Sequence, residues 1–236
     1  MDEQNQPGAA AVREPVFNLP RIVVILIAAC VGIHLMRLYV LSQDQDIGLI
    51  VRFAFIPVRY TGGYLVDIYA FLAPWTYAFL HGSVGHLAVN MIWLAAFGSP
   101  LANRIGASRF LAFWLVTSLA AVALHFVLHP YDQSPLVGAS GAISGMMGAA
   151  ARFGFQVDRR ARKGAFTGSI LSVPQVFRSR TVMTFLVVWM AVNLVMGLWG
   201  GVPGSDGQIA WEAHVGGFLA GFFLLRFFDK RDDPAA

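Results

Sequence analysis

The sequence has few charged residues. Only 13% of its 236 residues are Asp, Glu, Lys or Arg, whereas 57% are hydrophobic and the mean hydropathy is +0.62. A soluble domain of this size usually has about 25% charged residues. Long uncharged runs suit the hydrocarbon core of a bilayer instead. The composition therefore argues against an ordinary soluble domain and predicts an integral membrane protein, with the lipid bilayer as its surroundings.

Cysteines and known metal-binding motifs are also scarce. A single cysteine, Cys30, excludes an intramolecular disulfide, and its apolar neighbours predict a small core residue. There is no HExxH motif, and the six histidines are not spaced as ligands beside carboxylates or thiolates. His125 and His129, at the end of an apolar run, are predicted to be interfacial. We therefore predict neither a metal nor a cofactor.

Six apolar segments are candidate membrane spans, here named TM1 to TM6. They cover residues 21–41, 85–101, 110–128, 140–155, 181–199 and 212–228. TM4 is short against the roughly 20 residues that a spanning helix needs. These segments predict an all-α membrane protein built as a six-transmembrane-helix bundle.

The segments outside the spans differ in composition. Residues 1–20 are polar with three prolines and predict a flexible cytoplasmic tail. Residues 21–229 are predicted to form the membrane domain, and residues 230–236 to form a C-terminal tail. Residues 42–79 are mixed and aromatic, which predicts a long loop with interfacial helices. The glycine-rich residues 200–207 are predicted either to cap the site described below or to be an ordinary connector.

Lys and Arg are absent from the TM3–TM4 and TM5–TM6 connections. The opposite ends of the spans carry most of these residues. Only Arg37 near the end of TM1, and Arg52 and Arg59 in the first loop, break the pattern. Because cytoplasmic loops are enriched in Lys and Arg, both termini are predicted to be cytoplasmic. This topology also explains the net charge of +4, so we predict no nucleic-acid partner.

Polar side chains begin three of the spans. Ser140 opens TM4, His214 opens TM6, and His86 and Asn90 share one helix face near the start of TM2. With a cytoplasmic N-terminus these three spans run from the outside inward, so their polar residues lie at a similar shallow depth near the outer surface. Ionisable residues in spans usually mark function. Hydrogen bonds to neighbouring core groups are the structural alternative for the histidines and for Asn90.

Ser144 is a rival to Ser140, one turn later on the same helix face. The amide of Ser140 belongs to the first helical turn, has no intrahelical partner and can point at an anion. The amide of Ser144 would bond the carbonyl of Ser140, and its hydroxyl would lie farther from water. The pattern therefore favours Ser140, in the run Gly138-Ala139-Ser140-Gly141.

Glycines on TM4 and TM6 predict how a serine and a histidine on separate helices can touch. Gly141 and Gly145, like Gly217 and Gly221, are four residues apart and allow close helix approach, although a simple packing face is the alternative.

These residue types together can perform acyl transfer. Ser140 would be the nucleophile and His214 its general base, and then the acid for the leaving amine. His86, Asn90 and the Ser140 amide would hold the oxyanion. No carboxylate is placed to orient His214, so we predict a dyad.

The ordered set of motifs resembles the rhomboid intramembrane serine proteases. It consists of His81-x4-His86-x3-Asn90, Gly138-Ala139-Ser140-Gly141 and Ala213-His214-x2-Gly217-x3-Gly221. By resemblance, Ser140 and His214 match the family's dyad and His86 and Asn90 its oxyanion side chains. His81, Gly138 and Gly141 would lie beside the site.

The resemblance implies further properties. These are a six-helix bundle in a bacterial inner membrane, an active site toward the periplasmic side, and single-span membrane proteins as substrates, cut near the outer face. The chain departs from the family pattern at Ala102, where many members have Glu, and at Ser144, where others have an aromatic residue. The first loop also lacks the Trp-Arg pair of many members.

Other functions are possible on these residues. A catalytically inactive relative that binds and escorts membrane proteins is the main alternative, although such relatives usually lose the Ser or the His. A transporter would need polar residues at mid-depth. An intramembrane metalloprotease or aspartyl protease would need HExxH or paired membrane aspartates, and the sequence has neither.

Overall fold

The computed structural model describes residues 19–158, 164–198 and 210–229, and these are mostly helical. The helices are α1 (Arg21–Tyr39), α2 (Gln43–Phe53), α3 (Val58–Thr61), α4 (Ile68–Thr76), α5 (Val84–Trp93), α6 (Ser99–Ile105), α7 (Ala107–Leu128), α8 (Ser140–Arg152), α9 (Val173–Arg178), α10 (Arg180–Leu198) and α11 (Trp211–Leu224). Strands β1 (Val157–Asp158) and β2 (Ala165–Phe166) pair antiparallel. Most of the predicted N-terminal tail, the C-terminal tail and the glycine-rich residues 200–207 lie outside the described residues.

Among the residues that the structure describes, four helical stretches are long and apolar enough to cross a bilayer. They are α1, Val84–Ile105, α7 and Arg180–Gly197. The helices that match TM4 and TM6 are shorter, with 13 residues in α8 and 14 in α11. The prediction of an all-α membrane protein is confirmed, and the count of six spans stays a prediction.

The stretch that matches TM2 runs farther than predicted and is not a uniform α-helix. A π-helical segment, Leu94–Gly98, joins α5 to α6. The stretch ends at Ile105, before Gly106, whose φ of 83° lies in the left-handed region that glycine adopts without a steric cost. The apolar pattern fades at residue 101, whereas the backbone stays helical for one more turn.

The predicted long first loop contains α2, α3 and α4 and contacts the segment just before α8. Phe55 pairs with Leu136 as an isolated antiparallel bridge. The carbonyl oxygen of Tyr77 accepts a hydrogen bond from the Gly138 amide at 3.1 Å, and the Tyr77 hydroxyl donates to the Ser118 carbonyl at 3.0 Å. These bonds fix the turn that leads into Ser140.

The core of the bundle is the packing of α11 against α8 and α7. A Cβ atom at Gly217 would overlap the carbonyl oxygen of Gly141, and one at Gly221 would overlap that of Gly145. On its other side, Gly145 packs against Thr117 of α7. Backbone therefore touches backbone between α8 and α11, as only glycine allows.

A buried ion pair lies at the end of the bundle opposite the starts of α8 and α11. Arg104, at the end of α6, donates to both carboxylate oxygens of Asp229 at 2.7 to 3.1 Å. The same guanidinium donates to the Phe166 carbonyl at 3.4 Å, and Asn103 donates to the Gly164 carbonyl at 2.8 Å. The ends of α6 and α11 and the strand β2 therefore meet at one end of the bundle.

Candidate active site

The first turns of α8 and α11 face each other. Ser140 is the first residue of α8, and His214 is the fourth residue of α11. The two side chains contact each other, with His214 Nε2 lying 2.8 Å from Ser140 Oγ. Ser140 is partly exposed, whereas Ser144 is buried one turn deeper. Of the two candidate serines, Ser140 is therefore the one that meets the imidazole.

The turn before Ser140 depends on glycine. Gly138 has a φ of 125°, in the region that disfavours residues with a side chain. A Cβ atom there would also lie 2.9 Å from His86 Nε2 and 3.6 Å from Ser140 Oγ. Gly138 thus leaves room for the His86 ring, which a side chain at this position would displace.

His86 and Asn90 lie on one face of α5, as their spacing predicted. Ser83 caps this helix, since its hydroxyl accepts from the His86 amide at 3.1 Å. The buried Asn90 side chain donates one Nδ2 hydrogen to the His86 carbonyl at 3.0 Å. An amide nitrogen has two hydrogens, so this bond uses only half of its donor capacity.

His81 packs against the His86 ring. The two imidazoles pack edge to face with ring centroids 5.2 Å apart, and His81 is fully buried. Arg37, near the end of α1, donates to the His81 carbonyl at 2.7 Å. The structure therefore places His81 against the His86 ring, on the helix that leads to Asn90.

Asn193 on α10 is a site residue that the sequence reasoning missed. Its Oδ1 accepts a hydrogen bond from His214 Nδ1, while its Nδ2 donates to the Trp189 carbonyl at 2.8 Å. The second bond fixes which way the amide faces. The sequence places no carboxylate to orient His214, but a lone asparagine in the apolar segment 181–199 was itself a signal.

The arrangement can activate a hydroxyl group. Because Asn193 Oδ1 only accepts, the hydrogen of the neutral imidazole is on Nδ1 and the Nε2 lone pair faces Ser140. A serine that donates to such a nitrogen can lose its proton as it attacks an electrophile. The Ser140 amide, in the first turn of α8, adds a donor for the resulting negative charge.

The match to a family model decides which family this chain represents. The model of the Rhomboid domain matches residues 70–231, which is more than half of the chain. The chain belongs to the rhomboid family. The sequence-based assignment to this family is confirmed.

Curated rhomboid relatives match over shorter stretches. The chain is 31% identical over 144 residues to the protein named Rhomboid protease GluP of Bacillus subtilis (strain 168), covering 61% of this chain and 23% of the relative. It is 29% identical over 146 residues to RHOMBOID-like protein 5 of Arabidopsis thaliana, covering 61% and 40%. It is 28% identical over 160 residues to Rhomboid protease GlpG of Yersinia pestis (strain Pestoides F), covering 66% and 48%. The chain thus matches less than half the length of each relative.

The rhomboid match includes each residue of the predicted site, from His81 to His214. The roles of these residues stay predictions, since membership of a family does not test them.

Proposed function

We propose that this rhomboid chain is an intramembrane serine endopeptidase that cuts transmembrane segments of membrane proteins. The observation that carries the proposal is the 2.8 Å contact between His214 Nε2 and Ser140 Oγ. A serine paired with an imidazole, whose other nitrogen is itself hydrogen-bonded, is the pattern of an activated nucleophile. Two of the relatives, from Bacillus and Yersinia, are named as rhomboid proteases, which supports the same reaction.

In this mechanism Ser140 Oγ attacks the carbonyl carbon of the scissile peptide bond and transfers its proton to His214 Nε2. The tetrahedral intermediate collapses when His214 returns the proton to the leaving amine, which leaves an acyl-enzyme. Water, with His214 again as base, releases the acid product. The Ser140 amide, His86 and Asn90 donate to the oxyanion in both steps.

Asn193 is a positioning residue in this mechanism and extends the predicted dyad. The Asn193→Leu variant removes the acceptor for His214 Nδ1, so the imidazole can adopt the wrong tautomer. We expect kcat to fall about fivefold, as the loss of one hydrogen bond of about 1 kcal/mol implies, with KM unchanged. Steady-state cleavage kinetics in proteoliposomes measure this.

The conservative Asn193→Asp variant keeps an acceptor and should retain more activity than Asn193→Leu. Val192→Ala, at an exposed position on the same helix, is the matched control and should leave kcat unchanged. If Asn193→Leu turned over at the wild-type rate, Asn193 would have no positioning role.

The proposed partners are single-span membrane proteins and the lipid bilayer, with no nucleic acid. We place the site at the periplasmic side of a bacterial inner membrane, with both termini, including the tails 1–20 and 230–236, in the cytoplasm. The segregation of Lys and Arg supports this orientation. The position of Ser140 and His214 in the first turns of their helices supports a shallow site that water can reach.

Cleavage of single-span proteins in liposomes tests the function. The purified chain is reconstituted with tagged single-span proteins of varied sequence, and the cut positions are mapped by mass spectrometry. We expect cuts near the outer end of the substrate span. Stable binding without any product would instead favour the alternative, an inactive relative that escorts membrane proteins.

A further inference from the structure

Three side chains of the kind that bind metals meet where α7 ends and α11 begins. His125 lies in the last turn of α7, His129 follows as its C-cap residue, and Glu212 is the second residue of α11. His125 Nδ1 lies 2.8 Å and His129 Nε2 lies 3.2 Å from the same oxygen, Glu212 Oε1. One ligand atom from each residue lies within 4.8 Å of the others.

The ligand types and distances suit zinc. Zn²⁺ binds imidazole nitrogen and carboxylate oxygen at about 2.0–2.2 Å in tetrahedral geometry, which puts neighbouring ligand atoms about 3.3 Å apart. The distances of 2.8 and 3.2 Å to Glu212 Oε1 are close to this value, and the two histidine nitrogens, which lie within 4.8 Å of each other, would move closer together around the ion. Two imidazoles favour Zn²⁺ over Mg²⁺ or Ca²⁺, which prefer all-oxygen sites.

A second carboxylate faces the other nitrogen of His125. Asp132 Oδ2 lies 3.9 Å from His125 Nε2, and within the described part of the chain this buried nitrogen makes no hydrogen bond. Metal-bound histidines usually donate their second N–H to a carboxylate. The Ser134 amide donates to Asp132 Oδ1 at 2.9 Å and holds the carboxylate in this position.

The cluster is accessible from one side. The side chain of His129 is 50% exposed, whereas that of Glu212 is only 6% exposed. An ion can therefore approach past His129 and reach a largely buried carboxylate. Sequence spacing did not indicate the site because Glu212 lies 87 residues from His125.

We propose that His125, His129 and Glu212 bind one Zn²⁺, with water as the fourth ligand and Asp132 orienting His125. The ion joins the end of α7 to the first turn of α11, two residues before His214. It stabilises the packing of these helix ends. The site shares no ligand with the Ser140–His214 pair, and its occupancy is independent of the proposed proteolysis.

Zinc titration of the purified chain tests the site. The chain is first stripped with a chelator, and zinc is then added in competition with a chromophoric chelator. We expect one Zn²⁺ per chain in the wild type and no displacement by Mg²⁺. His129→Gln should weaken binding more than about 100-fold, and Asp132→Asn about 10- to 100-fold, as for the loss of an outer-shell partner. Gln133→Ala, an exposed polar residue in the same loop, is the matched control and should bind as the wild type does.

Thermal unfolding gives a readout that does not depend on activity. Zn²⁺ should raise the Tm of the wild type and of Gln133→Ala, but not that of His129→Gln. Without zinc, circular dichroism of His129→Gln should match the wild type, since His129 is half-exposed. If His129→Gln does not fold, the zinc affinity of Asp132→Asn still tests the site. Failure of the wild type to bind one equivalent, or unchanged affinity in both variants, would overturn the proposal.

Discussion

Replacing Ser140 by alanine is expected to lower kcat for peptide cleavage by roughly a millionfold, as for loss of the nucleophile in a serine protease. His214→Ala should cost about as much, because each variant removes one half of the same proton transfer. The double variant should then be no slower than either single one. Product formation in proteoliposomes over long incubations measures these rates.

Ser144→Ala is the matched control for this prediction. Ser144 is buried one turn below Ser140, so its variant makes the same chemical change on the same helix. We expect it to cleave at close to the wild-type rate. If Ser144→Ala lost as much activity as Ser140→Ala while both folded normally, the nucleophile would have been assigned to the wrong serine.

The Gly217→Ala variant is expected to damage both stability and activity. The added methyl group would overlap the carbonyl oxygen of Gly141, and backbone cannot move aside as a flexible side chain can. Overpacking of this kind typically costs about 1–3 kcal/mol. Because α8 and α11 must separate, His214 also moves away from Ser140, and a shift of about 1 Å can cost roughly 100-fold in rate.

Gly32→Ala is the control for this variant. Gly32 lies on α1, and a Cβ atom there would have no neighbour within 4 Å. Reversible unfolding in mixed micelles gives the stabilities, and steady-state cleavage gives the rates. Equal behaviour of the two alanine variants would contradict the close glycine contact between α8 and α11.

Local sequence predicted those features of the site that depend on where helices begin and on glycines that allow helices to approach closely. Ser140 and His214 stand at the starts of apolar runs, and the glycines around them indicated that two helices approach closely. The structure brings these two side chains into contact. Cys30 is buried on α1, as its apolar neighbours predicted.

Contacts between segments that are far apart in the sequence could not be predicted from local sequence patterns. Neither Asn193 nor Glu212 has a sequence neighbour that reveals its partner, since each acts on a histidine of another helix. The end of α8 was also misjudged. The apolar run continues to Phe155, but Gly154 and Phe155 have φ values of 59° and 57°, which are incompatible with a right-handed helix.

Covalent labelling of the purified chain with a fluorophosphonate, followed by peptide mass spectrometry, tests most directly whether His214 activates Ser140. We expect a single adduct on Ser140, absent in Ser140→Ala and strongly reduced in His214→Ala. An adduct on Ser144, or labelling of Ser140 that is unchanged in His214→Ala, would contradict this mechanism.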